Sequence, residues 1–298
     1  MKTVYNLSDI GTVKRLLEKN GFHFSKALGQ NFLIDPSVCP RMAKEAVADG
    51  ETGVIEIGAG VGVLTSELAK VSEKVVSIEL DKRLLPILSE TLKDFNNIEI
   101  INDDVLNIDL HKLIKEKFGD GKVSVCANLP YYITSPVIMK LLESRLPVEK
   151  IVVMVQKEAA DRICAEVGSK ESGALTAAVN YYSEADKLFF VPKQSFIPSP
   201  KVDSSVIRLS VLKEPPVSPK DEDFFWKTVK AAFAQRRKTA VNSLSSGLGI
   251  EKNVILDILK ECGLDENIRA EKFTMDDFCS VSEKCLNYIQ QRNGEKNE

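Results

Sequence analysis

Short apolar runs and amphipathic stretches alternate along the first two thirds of the chain. The runs Gly53–Ile57, Lys74–Leu80, Ile98–Asn102 and Lys122–Ala127 are mostly apolar from end to end, the pattern of strands buried on both faces. Between them, Val63 to about Val71, Lys82–Leu92 and Leu110–Phe118 carry helical spacing. Upstream, Ser8–Asn20 places Val13, Leu16 and Leu17 on one face with Gly21 as its stop, and Pro36 and Ser37 open a helix to about Val47. Downstream come a helix near Val137–Leu142, a strand at Lys150–Val155, a small-residue helix at Gly173–Tyr182, and two last strands at Leu188–Val191 and Ser205–Leu212. Such alternation predicts an α/β fold with a largely parallel sheet. The proline-rich segment Lys213–Lys220 is the clearest linker, and beyond it Asp223–Phe233, Val254–Cys262 and Asp276–Gln290 all read as helices. The predicted organisation is therefore an α/β domain over residues 1–212 and a smaller all-helical domain over 213–298.

Composition narrows the classes. With 298 residues, 44% hydrophobic and 28% charged, the chain has the make-up of a soluble globular protein of about two domains. The opening residues Met1–Asn6 are too polar for a signal peptide, and no apolar run has the length of a membrane span. Six scattered cysteines form no C-x-x-C pair, and the two histidines, His23 and His111, cannot build a zinc cluster at familiar spacings. Reduced, packed cysteines, a cytoplasmic location, no metal and a monomer are the expectations. A net charge of −3 means that any footprint for nucleic acid must be local.

The candidate chemistry begins at the turn Gly58-Ala59-Gly60-Val61-Gly62, which follows the first buried strand and opens a helix. Glycines there let a ligand approach the backbone, and the helix start offers N–H groups to its polar end. The next strand ends in Glu79, 21 positions after Gly58, the offset of a carboxylate that accepts both hydroxyls of a ribose. A dinucleotide fingerprint runs G-x-G-x-x-G, whereas here an acid leads, Glu56-x-Gly58-x-Gly60-x-Gly62. That form suits a single nucleoside with an amino-acid tail, and favours S-adenosylmethionine over NAD. Asp104, after the third strand, either accepts from an adenine N6 amine or is a solvated loop acid.

A fourth strand closes in Asn128-Leu129-Pro130-Tyr131, in the crevice where open α/β sheets bind ligands. The Asn128 carbonyl and a neighbouring main-chain carbonyl can accept from an NH2 group, and the Tyr131 ring can stack on a base; the alternative is a turn with a half-buried tyrosine. The mixed aromatic and amide segment His23–Asp35 reads as packing or as a flap over a ligand. Prolines around Phe196 make a stiff loop, with Phe196 as a hydrophobic plug or as a second aromatic wall. Arg236, Arg237 and Lys238 form the most concentrated basic patch, a solvated helix end or a phosphate grip.

Taken together, Leu28-Gly29-Gln30-Asn31-Phe32-Leu33, the stretch Glu56–Thr65, Glu79-Leu80-Asp81, Asp103-Asp104-Val105, Asn128–Pro136, Phe196-x-Pro198-x-Pro200-Lys201-Val202 and Phe233-x-Gln235–Thr239 resemble the KsgA/RsmA family of ribosomal RNA adenine dimethyltransferases. The resemblance implies a Rossmann-like class I methyltransferase sheet of about seven strands, mostly parallel, with a smaller helical C-terminal domain that binds RNA. It implies S-adenosylmethionine as donor and two adjacent adenosines near the 3′ end of small-subunit ribosomal RNA as substrate, in a pre-ribosomal subunit. By position, Asn31, Leu33, Gly58, Gly60, Glu79 and Asp104 would bind the cofactor. Asn128 would lie between cofactor and base, with Tyr131 and Phe196 stacking the base. Two alternatives stay open: a related methyltransferase acting on large-subunit RNA, and a mainly non-catalytic assembly factor.

Overall fold

The computed structural model describes residues 5–25, 29–47, 49–50 and 52–295. Lys26, Ala27 and Leu28 of the expected flap, and Met1–Val4 of the polar start, lie outside the described residues.

Seven strands form one sheet: β2 (Gly53–Ile57), β3 (Val75–Glu79), β4 (Ile98–Asn102), β5 (Val123–Asn128), β6 (Lys150–Gln156), β7 (Ser183–Val191) and β9 (Ser204–Val211). Their order is β4-β3-β2-β5-β6-β9-β7. The neighbours from β4 to β6 run parallel, and β9 lies antiparallel to β6. Every residue of β2 and β3 is buried, which explains their unbroken apolar character. Strand order reverses between β2 and β5, so the crevice at their carboxyl ends is the topological switch point.

Six helices lie much where their spacing predicts: α1 (Ile10–Lys19), α2 (Val38–Ala46), α3 (Val63–Val71), α4 (Leu85–Thr91), α5 (Leu110–Phe118) and α6 (Thr134–Glu143); α7 (Lys157–Ile163), directly after β6, was not expected. The chain divides into two compact units, Met1–Ala160 with Glu184–Val211, and Asp161–Ser183 with Leu212–Glu298. A single boundary at 212 therefore misassigns one segment. Helix α8 (Ala174–Tyr182) joins the second unit with α9 (Glu222–Phe233), α10 (Ala240–Leu248), α11 (Lys252–Glu261) and α12 (Met275–Glu295). The reason is aromatic packing: the rings of Tyr181 and Tyr182 lie 5.4 Å from Phe225 and 5.6 Å from Trp226, two residues of α9.

A second, two-stranded sheet was not legible in the sequence. Strand β1 (Phe32–Leu33) pairs antiparallel with β8 (Phe196–Ile197), Phe32 opposite Ile197 and Leu33 opposite Phe196. Successive strand residues point to opposite sides, and the core obeys that rule. Leu33 and Phe196 join the cluster around α2, α3 and the main sheet, including Met42, Leu68 and Val152. Phe32 joins a second cluster with Val13 and Leu17 of α1 and Ile87 and Leu88 of α4. The flap is thus pinned to the proline loop by backbone pairing and wedged into two cores.

Candidate active site

A cavity opens at the carboxyl ends of β2, β3, β4 and β5. Its walls are the flap residues Gly29–Leu33, the turn Gly58–Val61, Ile78–Leu80, Asp103–Val105, Asn128–Ile133 and Phe196. Every sequence-predicted residue of the first unit, namely Asn31, Leu33, Gly58, Gly60, Glu79, Asp104, Asn128, Tyr131 and Phe196, lines it. Arg236, Arg237 and Lys238 do not. They sit exposed in the turn after α9, in the second unit, where Arg236 Nη2 donates to the Ser172 carbonyl at 3.3 Å.

Gly58, Gly60 and Gly62 all have positive φ, at 83°, 59° and 93°. Side chains rarely tolerate that backbone. At Gly60 the need is also steric, because a Cβ would meet the Phe32 ring at 3.3 Å. The turn is closed from the far side by Glu79, which is only 6% exposed: Oε2 accepts the Gly60 N–H at 2.9 Å, and Oε1 accepts the Asp81 N–H at 2.8 Å. Burial raises the Glu79 pKa above its usual value, while those two backbone donors oppose the shift. Each carboxylate oxygen has a further lone pair, so anchoring leaves acceptor capacity for ligand hydroxyls.

Below this turn, Glu56 is fully buried beside its parallel neighbour Ser77, whose Oγ donates to Glu56 Oε2 at 2.6 Å. Burial pushes the Glu56 pKa up to about 7, against a pull from the Ser77 and Thr65 hydroxyls. Glu56 is not among the cavity's lining residues.

Asp104 is part-buried at the third strand end. Its Oδ1 accepts the Leu106 N–H at 2.9 Å, and Lys140 of α6 steadies the same loop by donating to the carbonyls of Leu106 and Ile108 at 2.7 and 2.8 Å. Asn128 ends β5 with its Nδ2 3.5 Å from the Asn31 carbonyl, an orientation that leaves Oδ1 as an acceptor. Of the main-chain acceptors beside it, the Pro130 carbonyl already takes the Ile133 N–H at 3.1 Å. The Tyr131 hydroxyl lies 2.8 Å from Ser204 Oγ on β9, which fixes the ring at the cavity wall. Phe196 is 4% exposed, a core residue that also lines the cavity.

The residues suit a purine nucleoside. Ile78, Leu80 and Val105 provide apolar walls, Glu79 a carboxylate for hydroxyls, and Asp104 an acceptor for an amine. Among the described residues, no group of three or more His, Cys, Asp or Glu side chains could hold a metal ion, and no helix is long and apolar enough to cross a membrane.

Comparison with known proteins decides the family. The model of the family described as ribosomal RNA adenine dimethylase matches residues 21–286. The chain belongs to that family. It is 49% identical over 276 residues to a ribosomal RNA small subunit methyltransferase A of Geobacillus sp. (strain WCH70), covering 91% of this chain and 95% of the relative. A protein of the same name from Bacillus mycoides (strain KBAB4) is 48% identical over 283 residues, 93% of this chain and 97% of the relative. Among solved structures, a dimethyladenosine transferase from Plasmodium falciparum aligns with a TM-score of 0.68 at 26% identity, over 88% of this chain and 98% of that one. The 23S rRNA methyltransferase ErmE aligns with a TM-score of 0.63 at 25% identity, over 86% and 99%. The Rossmann-like methyltransferase fold expected from the sequence is the fold observed.

Within this adenine dimethylase site, sequence reading missed three features. Tyr132 lines the cavity while 54% exposed, its ring so close to Gly29 that a Cβ there would approach within 3.2 Å. Ser204, the anchor of Tyr131, lies one position before the strand read at Ser205–Leu212, whereas the observed strand begins with it. Gln30, Asp81 and Arg83 form a network beneath the flap. Two of its members stood in the motifs Leu28-Gly29-Gln30-Asn31-Phe32-Leu33 and Glu79-Leu80-Asp81, neither of which was read for Gln30 or Asp81.

Proposed function

We propose that this protein is an S-adenosylmethionine-dependent dimethyltransferase acting on N6 of two adjacent adenosines near the 3′ end of small-subunit ribosomal RNA. The observation that carries the reading is the meeting, in one cavity, of a nucleoside cradle and the Asn128-Leu129-Pro130-Tyr131 strand end. The near-full-length likeness to small-subunit methyltransferases favours this over the large-subunit alternative.

Gly58 and Gly60 would admit the cofactor's backbone contacts, Glu79 would take its ribose hydroxyls, Asp104 its adenine amine, and Asn31 and Leu33 would cover it from the flap. S-adenosylmethionine, when bound, supplies a methyl group already activated by a positively charged sulfur. The remaining demand falls on the acceptor. An adenine N6 lone pair is delocalised into the ring and is weakly nucleophilic. At the first transfer Asn128 Oδ1 and the Leu129 carbonyl would each accept one N6 hydrogen, drawing the amine toward tetrahedral geometry and freeing its lone pair. As the N–CH3 bond forms, the sulfur–methyl bond would break and N6 would lose one proton to solvent. At the second transfer the one remaining N–H would engage a single acceptor. The Pro130 carbonyl spends one of its two lone pairs on the Ile133 N–H, which makes the Leu129 carbonyl the freer acceptor of the two. Most of the acceleration would come from this positioning and electrostatic preparation. Extruding an adenosine from its stack costs a few kcal/mol, offset by stacking on Tyr131. Arg236, Arg237 and Lys238 would grip phosphates without reading sequence.

Labelled-methyl transfer to unmethylated small and large ribosomal subunits tests the reading. Two adjacent N6-dimethyladenosines on the small subunit alone support it. Labelling confined to the large subunit, or none on either, overturns it.

A further inference from the structure

Gln30 is the flap residue that the cofactor reading leaves without a task. Its Nε2 donates to Asp81 Oδ2 at 2.7 Å, and its Oε1 accepts the Ser25 N–H at 3.0 Å. Asp81, 6% exposed, also takes the fork of Arg83, Nε to Oδ1 at 2.8 Å and Nη2 to Oδ2 at 2.6 Å. The Arg83 guanidinium reaches the flap as well, donating through Nη1 to the His23 carbonyl at 3.2 Å and lying 4.9 Å from the Phe22 ring centroid. The backbone N–H of Asp81 donates to Glu79 Oε1. Two side chains thus fasten both sides of the flap to one buried carboxylate, and the same residue holds the carboxylate that faces the cavity. Arg83 first, and Gln30 after it, keep the Asp81 carboxyl below its usual range, so the acceptor is charged.

We propose that Gln30 and Asp81 are positioning residues that lock the flap to Glu79, so that covering the cofactor and aiming the Glu79 carboxylate are one coupled event. The claim rests on the reading of Glu79 as the ribose ligand. The physical logic is economy of motion: the flap cannot lift at Gln30 without stripping a donor from Asp81. An Asp81 that shifts to compensate pulls its N–H from Glu79. Charge-assisted bonds of this kind are worth more than neutral ones, and burial leaves little water to replace them.

The test uses four full-length variants: Gln30→Ala, Gln30→Glu, Asp81→Asn and the double Gln30→Glu/Asp81→Asn. Gln30→Glu sets two carboxylates against each other, whereas the double exchanges donor for acceptor and restores the parent's net charge. Amide hydrogen exchange of the ligand-free proteins reads the lock directly. Calorimetry with S-adenosylmethionine reads the coupling. Expected are faster exchange at Ser25 and Asp81 in Gln30→Ala and Gln30→Glu, a Kd weakened about tenfold or more in Gln30→Glu, and recovery in the double to within about threefold of the parent. A residue that only stabilised the fold would lower the unfolding temperature of the singles without that exchange of partners restoring affinity. Unchanged exchange at Ser25 and Asp81 overturns the lock. So does a double variant binding no better than Gln30→Glu. Parent protein that fails to bind S-adenosylmethionine overturns the cofactor reading and the coupling with it, while the exchange data still decide whether the flap is fastened.

Discussion

Glu79 Oε2 accepts the backbone N–H of Gly60 at 2.9 Å, which ties the end of β3 to the glycine turn after β2. Backbone donors from Gly60 and Asp81 thus hold both carboxylate oxygens, and Glu79 keeps lone pairs for the cavity it lines. Replacing Glu79 by Ala is expected to weaken S-adenosylmethionine binding by on the order of 1.5–3 kcal/mol for each charge-assisted bond removed. Acidification should do the same, because a protonated Glu79 is a poorer acceptor, and burial starts that loss at a higher pH than an ordinary glutamate would. Calorimetry across pH checks both. Affinity in Glu79→Ala equal to the parent's would remove the ribose assignment.

Glu56 predicts a different pH signature, in stability. Its folded pKa of about 7 lies above the usual 4.5, so the folded state holds its proton more tightly than the unfolded chain between those values. Stability from this group is full below pH 4.5 and is lost as pH rises through about 7. The difference amounts to roughly 3 kcal/mol at 1.36 kcal/mol per pH unit. Glu56→Gln cannot ionise, so it should gain on the parent from about pH 5 to about pH 8 in denaturant unfolding. A gap that stays flat with pH would mean that Glu56 is solvated or paired.

Tyr131 separates ring from hydroxyl. Tyr131→Phe loses the bond to Ser204, about 1 kcal/mol of stability, and keeps the stacking face. Tyr131→Ala removes stacking worth roughly 1–3 kcal/mol per base. Single-turnover rates should therefore fall far more in the alanine variant. Equal losses would shift the role to the hydroxyl.

The exposed cluster after α9 predicts a salt effect. Replacing Arg236, Arg237 and Lys238 together by Ala should weaken subunit binding and flatten its dependence on salt by about 0.7–0.9 in log–log slope for each phosphate no longer neutralised. Cofactor affinity should hold. A slope identical to the parent's would return the cluster to a solvated turn.

The sequence made the centre of the main sheet legible because β2, β3 and β5 are buried on both faces and written in nearly unbroken apolar residues; α3 was read with its observed ends. Short elements were not legible. Two-residue strands such as β1 and β8 are too brief for alternation to register, although they fasten the flap to Phe196. Helix α10 buries Ala240, Ser243 and Leu244, of which Leu244 alone is large and apolar, too little to mark an apolar face. The boundary at 212 followed the prolines of a real linker, while α8 belongs to the second unit through aromatic contacts distant in sequence. At the site, individual residues were readable as strand ends. The network joining Gln30, Asp81 and Arg83 was not, because it depends on a flap folding back across the 51 positions that separate Gln30 from Asp81.

Asn128 carries the central claim. It ends β5 inside the cavity, with its Nδ2 turned toward the Asn31 carbonyl and Oδ1 available to an amine. Asn128→Ala should leave a folded protein with unaltered subunit affinity, since phosphate contacts set that affinity. The deciding measurement is single-turnover transfer of labelled methyl to unmethylated small subunits, with S-adenosylmethionine and subunits saturating. Loss of one of two acceptors that prepare the N6 lone pair should raise the barrier by roughly 3–4 kcal/mol, a fall of about 10²–10³ in rate. A rate within about threefold of the parent, less than about 1 kcal/mol of barrier, would contradict the account and leave Asn128 as a cap on its strand.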